Sequence, residues 1–146
     1  MTEERRVFDE IAALLTEQRN PRTMDLDRLG TGELLERLAA EDRLVPDAVA
    51  AELPWIAQAV DLVVEAFRKG GRLIYVGAGT SGRLGVLDAT ECPHTFLTDP
   101  QMVQGIIAGG PAALTRSVEG AEDRPEDGAR VIEEREVSVN DVVFGI

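Results

Sequence analysis

Three groups of residues in this sequence are equipped for chemistry. The first is Gly77-Ala78-Gly79-Thr80-Ser81-Gly82-Arg83. Its glycines let the backbone turn sharply and come close to a ligand. Amides at the start of a following helix can then hold an anion, helped by the positive end of the helix dipole. Gly79, Thr80, Ser81, Gly82 and Arg83 are therefore candidate phosphate-binding residues. The same glycines would equally serve a tight strand-to-helix turn with no ligand. They also match G-x-G-x-x-G, but dinucleotide binding calls for an acid at the end of the next strand. Ile106-Ile107-Ala108-Gly109-Gly110 offers none.

The second group is a pair of carboxylates, Glu91 in Asp88-Ala89-Thr90-Glu91-Cys92-Pro93 and Glu122 in Glu119-Gly120-Ala121-Glu122-Asp123. Both belong to segments entered from the carboxyl ends of predicted parallel strands, where open α/β sheets place their ligand crevice. Two carboxyl groups in different surroundings can divide acid and base roles. With 27 acidic residues in the chain, position alone singles out neither. The third group is Cys92 and His94, each the sole residue of its type. One cysteine forms no intrachain disulfide, and the two together are too few for a zinc site. Nothing in the sequence ties His94 to an activated hydroxyl either.

The elements that position these residues follow from periodicity. Val7, Ile11, Leu14 and Leu15 predict a helix over 3–15, and the polar segment 16–27 predicts a loop. Leu34, Leu35 and Leu38 mark a helix entered near Thr31. Val49, Leu53, Ile56, Val60, Val63, Val64 and Phe67 predict a longer helical run, with Pro46 in its first turn and Gly70-Gly71 at its stop. Pro54 should kink or divide that run. Leu73–Val76, Met102–Ala108 and Asp141–Ile146 read as buried strands. A helix is expected from Arg83 to Thr90, with Glu91 just after it. Another should run from Pro111 towards Glu119, and a third from Pro125 with Ala129 and Ile132 inward. Strands alternating with helices predict an α/β fold, a parallel sheet with helices on both faces in three layers. Residues 1–45 read as an N-terminal helical segment with a loop, and 46–146 as a sheet domain cut short after its third strand.

Composition excludes several classes. A net charge of −12 argues against a nucleic-acid partner, which needs clustered Lys and Arg. No apolar run approaches the ~18 residues a membrane span requires, and the charged start lacks a signal core. A cytoplasmic protein without membrane contact is the expectation.

Several of these segments resemble, in order, the N-acetylmuramic acid 6-phosphate etherases. They are Thr16-Glu17-Gln18-Arg19-Asn20-Pro21, the long run from Gly71 to Pro93, Ile107-Ala108-Gly109-Gly110 and Glu119–Asp123. The resemblance covers residues 16–146 and the N-terminal half of that family. It implies a sugar isomerase (SIS), flavodoxin-like fold and a homodimer with sites near the subunit interface. The implied reaction cleaves the D-lactyl ether of a 6-phosphorylated amino sugar during cell-wall recycling. Lactate leaves by elimination, water then adds to the unsaturated sugar, and no metal or organic cofactor takes part. The resemblance makes Glu91 the acid that protonates departing lactate and Glu122 the base that removes the C2 proton. His94 stands where the family usually has a second proline, and Leu97-Thr98 where it has a glycine. A phosphosugar-sensing regulatory protein such as glucokinase regulatory protein, or a phosphosugar isomerase, are the alternatives on the same fold.

Overall fold

The computed structural model describes Arg5, Arg6, Phe8, Ala12, Leu14 and residues 17–146. Val7, Ile11 and Leu15 of the expected first helix lie outside the described residues, as does Thr16 of the loop motif. The chain forms two compact units, Met1–Leu53 and Pro54–Ile146.

In the first unit the expected loop contains two 3-10 turns, Pro21–Thr23 and Leu26–Arg28, followed by α1 (Thr31–Asp42) and α2 (Leu44–Ala51). The turns are tied to α1 by charge. Glu41 accepts both Nε and a terminal nitrogen of Arg22 at 2.6 Å, and Asn20 Nδ2 at 2.7 Å. These bonds, the Arg22 pair first, hold the Glu41 carboxyl at about 2. Arg37 adds a second strut, donating to the Arg22 carbonyl and to Asp25.

The second unit opens with α3 (Leu53–Arg68). The long apolar run is thus divided at Glu52, with Pro54 in the first turn of α3, where its missing N–H costs nothing. Gly70, at φ +74°, ends α3, and the Gly71 N–H closes onto the Ala66 carbonyl. Then follow β1 (Leu73–Gly77), α4 (Gly79–Phe96), β2 (Val103–Ile107), a 3-10 turn (Gly110–Leu114), α5 (Pro125–Glu134) and β3 (Val142–Gly145). The sheet is fully parallel in the order β2-β1-β3, with Leu73 opposite both Val103 and Val142. That order is consistent with a doubly wound, flavodoxin-like α/β fold.

Leu73 and Tyr75 face α3 and α4, in a core of Leu73, Val103 and Ala89 with Val63, Phe67 and Cys92 against it. Gly105 lets α4 press directly on β2, since a Cβ there would lie 2.5 Å from the Val86 Cα. Ile74, fully buried, points to the other face, where Arg135 at the end of α5 donates to Gln104. Asp141 fastens this end of the sheet. It accepts the Arg72 N–H, two nitrogens of the Arg72 guanidinium and the Ser138 N–H, while Arg72 also reaches the carbonyls of Arg135 and Glu136. At the outer strand, Val143 and Phe144 remain 43% and 42% exposed, so β3 is not the buried strand that its apolar run predicts. Among the described residues no helix is long and apolar enough to cross a membrane.

Three expectations need correcting. The helix after β1 does not end before Glu91 but continues to Phe96, with Pro93 inside it. Proline removes one hydrogen bond and crowds the carbonyl four residues back. Here that carbonyl belongs to Ala89, which is small, and the proline sits in the last turn. The segment after Pro111 is only a 3-10 turn ending at Leu114. Arg83 takes the Leu114 and Arg116 carbonyls that a longer helix would need. On α5, Gly128 and Val131 turn inward beside Ile132, and Ala129 is exposed.

Leu97 ends α4 at φ 57°, ψ 35°, a left-handed conformation in which its Cβ is crowded. Its side chain is 91% exposed and gains nothing from burial. Leu97→Gly is expected to raise stability by about 0.5–1 kcal/mol, the left-handed strain relieved less the entropy glycine gains when unfolded. An unchanged or lower urea midpoint would refute this.

Candidate active site

The turn after β1 is built by close backbone approach. Gly82, in the first turn of α4, is buried against β1, and a Cβ there would meet the Gly77 carbonyl oxygen at 2.7 Å. Gly79 has φ +54° with open space around it, so the turn needs its conformation, not its small size. Thr80 and Ser81 are exposed on the opening turn of α4, whose first amides have no carbonyl ahead of them in the helix. The turn therefore carries hydroxyls, free amides and the positive end of a helix dipole.

Arg83 lies half-buried beside it, with Nε and one terminal nitrogen each 3.2 Å from the carbonyls of Leu114 and Arg116. This clamp holds the segment after β2 against the glycine turn. The clamp was not legible in the sequence, because its partners lie 31 and 33 residues away.

A cavity of about 770 Å³ opens at the carboxyl ends of β1 and β2. Gly77 and Ala78 of the turn line it, with Gly109 and Gly110 after β2, Val131 of α5, and Glu122. Glu122 is exposed in the turn before α5. Arg124 lines the same cavity, a cation the sequence reading passed over. Its only signal there was its place two residues after Glu122.

Glu91 is elsewhere. It is exposed on α4 and does not line this cavity. One residue on, Cys92 is half-buried against the core, and burial pushes its thiol up. Three residues back, Asp88 accepts the Tyr75 hydroxyl at 2.9 Å. Burial first, then this bond, push that phenol up to about 12, so Tyr75 stays a protonated donor. His94 lines a separate hollow of about 450 Å³ with Thr90, Pro93 and Gln101. Among the described residues, no three His, Cys, Asp or Glu side chains converge on a metal site.

Comparison with known proteins identifies the family. The family model described as glucokinase regulatory protein N-terminal SIS domain matches residues 55–146, which is most of the chain. An N-acetylmuramic acid 6-phosphate etherase of Gloeobacter violaceus is 63% identical over 137 residues, 94% of this chain and 45% of the relative. That of Salinibacter ruber is 59% identical over 140 residues, 96% of this chain and 45% of the relative. The Mesorhizobium japonicum protein of the same name is 59% identical over 140 residues and 46% of its length. The chain thus spans less than half the length of these relatives. The chain belongs to the SIS-domain family and corresponds to the N-terminal part of the N-acetylmuramic acid 6-phosphate etherases.

Proposed function

We infer that this chain carries the phosphate turn and the acid–base residues of an etherase acting on N-acetylmuramic acid 6-phosphate. The observation that carries the reading is that Gly77 and Ala78, the two residues leading into α4, line one cavity with Glu122. The 6-phosphate sits on the amides and hydroxyls of Gly79, Thr80 and Ser81. Gly82 allows the close approach, and Arg83 adds charge while its clamp steadies the loop. Glu122 takes the proton from C2. The C–H electron pair becomes the C2–C3 double bond, the C3–O bond breaks, and Glu91 supplies a proton to the departing lactate oxygen. Water then adds its oxygen to C3 and a proton returns to C2, giving N-acetylglucosamine 6-phosphate and D-lactate. Side chains alone balance these proton transfers, so no cofactor is required. We place this chemistry in the cytoplasm and in a homodimer.

The test is lactate release by the full-length gene product. Ser81→Ala should weaken binding of the phosphosugar by roughly 1–3 kcal/mol, the range for a hydrogen bond to a charged group. Unchanged affinity by calorimetry would remove Ser81 from the site. The match to a regulatory protein's domain supports a second reading, a phosphosugar sensor without catalysis. Tight binding with no lactate release would favour it.

A further inference from the structure

We propose that Arg83 is the positioning residue through which a phosphate on the glycine turn sets the segment that carries Glu122. This coupling rests on the function proposed above for the turn and for Glu122, and adds what joins them.

Residues 115–124 hold Glu122 and contain no helix or strand. Their own backbone bonds are local: the Thr115 and Arg116 N–H groups donate to the Ala112 carbonyl, and Ala121 donates to Val118. Ser117 bonds only its near neighbour Glu119. Among the described residues, two hydrogen bonds reach 114–124 from outside 110–127. Both come from Arg83, to the carbonyls of Leu114 and Arg116 at 3.2 Å. Val118 adds an apolar rest over Gly109, where a Cβ would meet it at 3.0 Å. A segment tied at so few points opens at little cost, so its anchor governs where Glu122 stands.

The other end of the anchor belongs to the turn. Arg83 is the fifth residue of α4, directly after Gly79, Thr80, Ser81 and Gly82. The Gly82 N–H is taken by the Ala78 carbonyl, which leaves Gly79, Thr80 and Ser81 as the open amides. An anion on those amides fixes the helix end from which the Arg83 side chain projects. The guanidinium grips its two carbonyls through two different nitrogens, and so passes that order to Leu114 and Arg116. Glu122 follows six residues later. Binding energy from a phosphate remote from the breaking bonds is thereby used to place the base. By reciprocity, a placed segment tightens the phosphate.

The experiment uses the full-length gene product, as the parent and as Arg83→Lys. Lysine keeps the cation beside the turn but has a single ammonium in place of a planar fork. Amide hydrogen exchange is read without and with inorganic phosphate, at saturation set by calorimetry. Phosphate should slow the 79–81 amides in both proteins. In the parent it should also slow the bonded amides of Thr115, Arg116 and Ala121, by about 5-fold or more, the usual size of a coupling between sites. In Arg83→Lys that second effect should fall below about 2-fold. Equal slowing in Arg83→Lys would overturn the proposal, because charge alone would then suffice. A parent slowed at 79–81 but not at 115–121 would overturn it too. A parent not slowed at 79–81 would instead overturn the phosphate seat, and the coupling with it. Turnover gives an independent reading with N-acetylmuramic acid, which lacks the phosphate, supplied with inorganic phosphite. Saturating phosphite should accelerate lactate release about 10-fold or more in the parent and less than about 2-fold in Arg83→Lys. Equal acceleration in the two, or none in a parent active on the 6-phosphate, would refute the coupling. A parent that releases no lactate from the 6-phosphate would sink the proposed function itself.

Discussion

Glu122→Gln is expected to abolish exchange of the substrate C2 proton with deuterated solvent and to reduce lactate release by about 10²–10⁴-fold, the usual contribution of a positioned general base. Glutamine keeps the size and polarity of the side chain but cannot accept the proton. Because Glu122 is exposed in a turn, the substitution should leave the urea midpoint within about 0.5 kcal/mol of the parent. The pairing of lost exchange with intact folding separates a chemical role from a structural one. Exchange at the parent rate would show that another group takes the C2 proton.

The largest stability effect is expected at Asp141. Its side chain is 3% exposed, and it accepts four hydrogen bonds from Arg72 and Ser138. Asp141→Ala strands a partly buried guanidinium and two backbone N–H groups, which should cost about 3–5 kcal/mol. Equilibrium urea unfolding measures it, and a loss below about 1 kcal/mol would show that water replaces the carboxylate without penalty. The same group predicts a pH dependence. The Arg72 guanidinium, before all other causes, holds the Asp141 carboxyl well below the usual carboxylate range. A carboxyl depressed in the folded state stabilises it above the unfolded value near 4, and that stabilisation is lost as pH falls towards the folded value. The parent should therefore lose stability below about pH 5 more steeply than Asp141→Asn, which has no carboxyl to protonate.

Much of this protein was legible in its sequence because the signals are local. The apolar runs at Leu73–Val76 and Met102–Ala108 specify buried strands by composition alone. Gly70, Pro54 and the Gly77–Gly82 turn mark their positions through steric rules that act within a few residues. Those rules gave the alternation of helices and strands and placed the glycine turn at a strand end. What only the tertiary structure decided lies in partners far apart along the chain. Arg83 is engaged by carbonyls 31 and 33 residues on, which shortens the helix expected after Pro111. Arg72 and Asp141 meet across 69 residues. Pro93 reads as a stop, yet packing of Ala89 and Cys92 on the sheet carries α4 through it to Phe96. Glu91 thus lies within α4 and outside the cavity that Glu122 lines. Sequence motifs name the two carboxylates, but only the fold sets the distance between them, because a continuous helix adds about 1.5 Å of separation with every residue.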